Sequence, residues 1–346
     1  MISRLFLSLL FVCSYLPQTF AAKLELKLNH PTQYSVVKGD TLWDISEHFL
    51  KSPWMWPELW KQNSQIKNPH LIYPGDVLTL HYIDGKPVLE LSHREPARYK
   101  LSPKTRAITL ENAIPLIPLA DIRAFLTHPK VLAEAELSTS PYVVSGEDER
   151  LISGTGEQIY VRALNTDDTV KRYSIFSQGK VYNDPETQEV LGYEAIYKGI
   201  AHLVSAGEPA TLELTTTTQE ILIGDRLLPL IDDNYETNFI PRAPENTIEG
   251  VIISVFNGVS QIGQYQIMVI NRGEREGLSA GHMLSILQRG DTIQDSVTRD
   301  RGDSVTLPDI SAGVGMVFKT FEKVSYVIIL RATRAIHLHD KVRSLK

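Results

Sequence analysis

Tyr34-Ser-Val-Val-Lys-Gly-Asp-Thr-Leu-Trp43 opens one segment of this 346-residue chain, and Tyr73-Pro-Gly-Asp-Val-Leu-Thr-Leu80 closes it. Tyr34–Val37 is a short β-type run. Lys38-Gly39-Asp40 marks a turn. Thr41 then opens a helix, with Asp44 three residues on to complete a capping box. Leu42, Ile45 and Phe49 recur at i, i+3 and i+7, which makes one apolar helical face. Ser52-Pro53 stops that helix. Pro57 suits the first position of a second helix, where its missing N–H costs nothing. Leu59 and Trp60 give this helix its buried side, and Asn63 its end. Asn68-Pro69 and Pro74-Gly75 are turns, and Val77–Leu80 is a closing strand. The predicted order is strand, helix, helix, strand.

All four tryptophans lie in this segment, at Trp43, Trp54, Trp56 and Trp60. Trp43 and Trp60 occupy helix positions where so small a unit needs core. Trp54 and Trp56 sit between the helices, flanked by Pro53 and Pro57. They either pack over the helix ends or form an exposed aromatic ledge, which would be a binding feature.

Composition and termini bound the rest. The length allows two or three domains. Met1-Ile-Ser-Arg4, an apolar run over Leu5–Leu16 and a small-residue site at Ala21-Ala22 read as a secretory signal over residues 1–21, cleaved after Ala21 or Ala22. The run is too short to span a bilayer as a mature helix. Cys13, the single cysteine, leaves with it, so the mature chain has neither disulfides nor a cysteine nucleophile. The formal charge is −6, which excludes a nucleic-acid footprint. No basic belt suggests anionic lipid.

Residues 83–140 read as a proline-stiffened linker. A short amphipathic helix is expected over Leu119–Leu126, with another helical turn near Ala133–Leu137. From Pro141 short strands alternate with Gly, Asn-Asp and Asp-Pro turns, giving one β domain over 141–232 and a second over 247–346, joined by a Pro-containing linker. The fold class is multidomain: a small α+β (βααβ) module followed by two mostly-β domains. The two β series look duplicated. Ile223-Gly-Asp-Arg-Leu227 answers Leu338-His-Asp-Lys-Val342, and Gln264-Tyr-Gln-Ile267 answers Glu157-Gln-Ile-Tyr160. Gln288–Asp309 is a polar, charged insertion between strands with no match.

The 34–82 segment resembles a LysM module in both its opening and closing signatures. That resemblance implies binding of N-acetylglucosamine-containing glycan, chiefly peptidoglycan. The longer string Trp54-Met-Trp-Pro-Glu-Leu-Trp60 through Asn68-Pro69-His70-Leu-Ile-Tyr-Pro-Gly-Asp76 resembles the LysM module of the type IV pilus secretin-associated protein family. So do Pro141-Tyr-Val-Val144, Asp148–Gly156 and Ile159-Tyr-Val-Arg162. Residues 247–346 are similar to the C-terminal domain of flagellar assembly protein T. Together these imply a periplasmic, non-enzymatic protein that ties the outer-membrane secretin of a type IV pilus to the cell wall, with a homo-oligomeric ring around the secretin as a further possibility. The alternatives are a wall-binding protein of another envelope machine, such as a flagellar collar, and a peptidoglycan hydrolase.

In LysM modules the sugar lies between the loop after the first strand and the loop before the second. Here these are Gly39-Asp40-Thr41-Leu42 and Leu71-Ile72-Tyr73-Pro74, with Trp54 and Trp56 as the possible aromatic ledge. Glycan binding needs hydrogen-bond partners and apolar faces rather than charge. The segment suits this, with four lysines against five acids over residues 32–82. No catalytic residue, metal ligand or cofactor is expected. His337-Leu-His339-Asp340 alternates two histidines onto one strand face, but no second His–acid motif accompanies it. The β-rich second half does not suit a helical transglycosylase.

Overall fold

A computed structural model describes residues 24–60, 72–92, 130–164, 170–230, 239–256, 262–295, 297 and 303–345. The expected signal segment, Cys13, Asn63, Asn68-Pro69, Leu71 and the Leu119–Leu126 helix lie outside the described residues.

The N-terminal module contains β1 (Gln33–Ser35), α1 (Leu42–Phe49), a 3-10 turn (Pro53–Met55), α2 (Trp56–Trp60) and β2 (Val77–Ile83). Thr41 caps α1 as its spacing predicts. Its hydroxyl accepts the Asp44 N–H at 3.1 Å, and the Asp44 carboxylate accepts the Thr41 N–H at 3.0 Å. A third strand, β3 (Lys86–Ser92), extends the sheet beyond the βααβ expectation and into the expected linker. Its cause was present in Asp84-Gly85. Both residues take positive φ, 50° and 75°, the combination a two-residue hairpin needs to follow strand twist.

The expected aromatic ledge is not present as a pair. Trp56 is 2% exposed and Trp54 is half-buried against the same apolar cluster, so the prolines fold this corner inward. Trp43 and Trp60 are core, as their positions predict. With Leu42, Ile45, Phe49, Leu59, Ile72, Leu78 and Leu89, they fill the space between the helices and the sheet.

Residues from 130 onward form two antiparallel barrels. The first unit starts earlier than expected, with β4 (Lys130–Leu132) and α3 (Glu134–Thr139). It continues through β5 (Tyr142–Gly146), β6 (Ile152–Ser153), β7 (Gln158–Arg162), β8 (Arg172–Asn183), β9 (Val190–Ser205), β10 (Ala210–Thr217), β11 (Ile221–Leu222) and β12 (Arg226–Pro229). Arg172–Asn183 is one long strand with an irregularity between Gln178 and Val181. The ring closes as β5-β7-β10-β9-β8-β12, with β4 added outside β9 and β6 paired to β11.

The second barrel contains β13 (Glu249–Val255), β14 (Ile267–Ile270), β15 (Met283–Gln288), β18 (Ile310–Thr320), β19 (Ser325–Ala332) and β20 (Lys341–Ser344). Its ring is β13-β14-β19-β18-β15-β20. Counting the ring strands along the chain, both barrels run first, second, fifth, fourth, third, sixth. This shared connectivity supports the duplication and moves its register: Gln266, not Gln264, is the counterpart of Glu157, because each immediately precedes the second ring strand. The charged insertion contributes a small hairpin, β16 (Thr292–Gln294) with β17 (Ser304–Thr306).

One glycine recurs at the same place in both copies. Gly199 on β9 and Gly313 on β18 each lie against the fifth ring strand, where a Cβ would meet the carbonyl oxygen of Thr216 or Arg331 at 2.3 Å. Alanine at either position forces two strands apart. We expect Gly199→Ala or Gly313→Ala to cost about 1–3 kcal/mol in denaturant unfolding. A midpoint equal to that of the parent protein would show that the strands can yield.

The second barrel has two apolar faces. Met268, Ile270, Leu284, Ile286, Val327 and Ile329 fill its interior. On the opposite face Ile267, Val269, Met283, Met316, Tyr326, Ile328 and Leu330 join the core of the N-terminal module in one continuous cluster. Strand β19 is therefore buried on both sides and shows no alternation. The tip of the β8–β9 hairpin reaches the same barrel. Asp184 accepts the Asn271 side-chain amide at 2.8 Å, and Glu189 pairs with Arg275 and Lys323, each at 2.8 Å.

Candidate functional site

A single turn type is repeated through the described residues. In Val37–Asp40 the last residue donates its N–H to the first carbonyl at 3.1 Å, while its carboxylate accepts the first N–H at 2.8 Å. The third residue, Gly39, has φ +101°. Tyr73–Asp76, Gly154–Glu157, Leu222–Asp225, Gly263–Gln266, Ser279–His282 and His337–Asp340 repeat both bonds. Each turn launches a helix or strand, and the acceptor side chain satisfies an amide that the turn would otherwise strand. His337 and His339 therefore lie in a turn before β20, not on a strand face, which corrects the sequence expectation. Among the described residues no group of three His, Cys, Asp or Glu side chains could hold a metal ion.

Two of these turns form the candidate glycan site. Backbone bonds tie them together: the Val36 N–H donates to the Asp76 carbonyl at 2.9 Å, and the Gly75 N–H to the Val36 carbonyl at 2.8 Å. Gly39 is exposed with open space around its missing side chain, and Val37 beside it is 59% exposed. Asp40, Tyr73 and Pro74 are half-buried. Thr41, Leu42 and Ile72 are buried, so from these three only backbone atoms can face a ligand. The Leu42 and Trp43 N–H groups at the start of α1 donate to no described residue, leaving two amides of the kind that bind an acetamide oxygen.

Two participants were not visible from local spacing. Tyr34 donates its hydroxyl to Asp40 at 3.0 Å and stacks on His48, with ring centroids 4.8 Å apart. Tyr265, from the second barrel, donates to the other oxygen of Asp44 at 3.3 Å. Burial and the Asp44 charge push the Tyr265 phenol up to about 12, so it remains a donor at neutral pH. Arg331 approaches Glu47 at 3.8 Å one turn further along α1.

A cleft of about 390 Å³ beside the second barrel contains a serine–histidine pair, Ser279 and His282, 3.2 Å apart. The turn assigns the ring's roles. His282 Nδ1 accepts the Ser279 N–H, so Nε2 carries the proton and donates to the hydroxyl, which also accepts from Arg242 at 2.7 Å. Burial, then Arg242, holds the imidazole pKa below its ordinary value. In this arrangement His282 cannot take a proton from Ser279; it fills the place that a carboxylate or amide oxygen fills in the sister turns.

The segment that these two turns bracket is a LysM domain: the family model of that description matches residues 34–80. Such domains bind peptidoglycan. A protein of Bacillus subtilis (strain 168) described as "Uncharacterized protein YqbP" is 32% identical over 79 residues, covering 18% of this chain and 36% of that protein. The chain thus spans about a third of the length of the curated relative it matches.

Proposed function

We propose that this protein is a non-enzymatic periplasmic anchor. Its LysM domain holds peptidoglycan, and its two barrels engage a protein assembly, the outer-membrane secretin of a type IV pilus. The observation that carries the wall-binding half is the LysM match over residues 34–80, whose two open turns are tied side by side. The pilus half rests on the resemblance of the Trp54–Asp76 string and of residues 141–162 to the secretin-associated family. Tethering at two ends suits the division of labour, because modest glycan affinity suffices once the other end is held. The second reading, a wall anchor for a flagellar-type collar, is favoured by the likeness of residues 247–346 to flagellar assembly protein T.

Retention on purified peptidoglycan sacculi tests the site. Gly39 has φ +101° and open space around it, so Gly39→Val strains the turn without a clash and covers its exposed face. Binding is expected to fall about tenfold, equivalent to roughly 1.4 kcal/mol. Undiminished retention would remove the site assignment. Release of soluble muropeptides by the parent protein would overturn the non-enzymatic reading. Site-directed crosslinking of the full chain in cells that recovers the collar and not the secretin would replace the first partner by the second.

A further inference from the structure

The seven sister turns place a residue in the left-handed region at their third position. Glycine fills it in the turns ending at Asp40, Asp76, Glu157, Asp225 and His282. Tyr265 fills it in the Gly263–Gln266 turn, with φ +64°, and His339 in the His337–Asp340 turn, with φ +69°; His339 is exposed, whereas Tyr265 is half-buried against another part of the fold. An L side chain is disfavoured there, and such an outlier is a reason to look for a role. The surroundings hold the tyrosine firmly. Its N–H donates to Ile329 at 2.7 Å, and Gln264 donates to the Leu330 carbonyl at 3.0 Å. Its ring packs on the cluster shared with the N-terminal module.

What the ring gains is contact with α1. The Tyr265 hydroxyl reaches one oxygen of Asp44, and the other oxygen accepts both the N–H and the hydroxyl of Thr41, at 3.0 and 2.7 Å. Thr41 adjoins Asp40, whose carboxylate fixes the exposed Val37–Asp40 turn. A chain of bonds thus runs from the second barrel, through the capping box, to the turn that faces glycan.

We propose that Tyr265 is a positioning residue for the glycan-facing turn, so that the second barrel sets the affinity of the LysM domain for N-acetylglucosamine oligomers. The inference rests on the sugar reading of that turn. By linkage, a partner that shifts Tyr265 when it binds the barrel changes glycan affinity, and glycan changes partner affinity by the same factor.

The test uses the full chain with chitohexaose as probe, measured by calorimetry, together with amide hydrogen exchange at Thr41 and Asp44. Tyr265→Phe keeps the ring and its packing. It should leave the melting temperature unchanged, speed exchange of both amides, and weaken chitohexaose binding about fivefold, the scale of one ordinary hydrogen bond. Tyr265→Gly removes ring and backbone strain together, so the turn keeps its stability while affinity still falls. A purely structural tyrosine would move stability and affinity together. Parent-like affinity and exchange in Tyr265→Phe would overturn the proposal. If the parent protein ignores chitohexaose, the sugar reading fails instead, and the exchange arm alone decides whether Tyr265 holds the turn.

Discussion

Trp56→Ala is expected to unfold the LysM domain at temperatures where the barrels stay intact. The indole is 2% exposed and lies among Leu42, Phe49, Leu59 and Ile72 in the same apolar cluster. Truncating a buried tryptophan costs about 3–5 kcal/mol, comparable to the whole stability expected of so small a unit. The chain supplies its own reporter. Every tryptophan lies between residues 43 and 60, so indole fluorescence follows this domain and is silent on the barrels. The three remaining indoles should shift to the red in Trp56→Ala. Trp54→Ala, at a half-buried position, should cost under about 2 kcal/mol. A parent-like emission spectrum and midpoint in Trp56→Ala would mean that Trp56 is not core, and would restore the ledge.

Lys198→Ala should weaken the first barrel by about 3–5 kcal/mol, because it strands a buried carboxylate. Lys198 and Asp225 have side chains 7% and 6% exposed, with Nζ and Oδ2 2.9 Å apart. Asp225 also accepts the Leu222 N–H at 2.7 Å, so it cannot turn away without breaking its own turn. The second barrel supports the counterpart Asp340 differently: backbone amides of His337 and Arg289 donate to it at 2.8 and 3.1 Å. The double variant Lys198→Met with Asp225→Asn should recover much of the loss, since it leaves no uncompensated charge. Urea unfolding followed by far-ultraviolet circular dichroism checks both. A loss below about 1 kcal/mol in the single variant would show that water reaches the carboxylate.

Local chemistry made the first half of the LysM domain readable. The Thr41–Asp44 box, the Leu42-Ile45-Phe49 stripe and the Pro-Gly turns each act within a few residues, and each appears where its spacing puts it. The hairpin to β3 carried an equally local signal in Asp84-Gly85, but Pro87 and the prolines beyond it drew the reading toward a linker. Trp56 illustrates a harder limit. Its surroundings come from residues as distant as Leu78 and Leu89, and no window around Trp56 contains them. The same holds for Tyr265, which meets Asp44 across 221 residues of sequence. The barrels were readable as strand series and not as closed rings, because closure depends on pairings such as β5 with β12 that periodicity does not encode.

Strand β19 has a consequence for the order in which the molecule can assemble. Its outward side chains, with those of β14, β15 and β18, are covered by a domain that leaves the ribosome well before them. The N-terminal unit must therefore form and wait, while its docking surface is completed only when the last strands arrive. Contacts this distant are slow to close, and the apolar sheet face stays open until they do. A shortened chain beginning at residue 130 would keep both rings, yet would carry that face permanently uncovered. It should self-associate where the full chain does not, even with every barrel hydrogen bond in place.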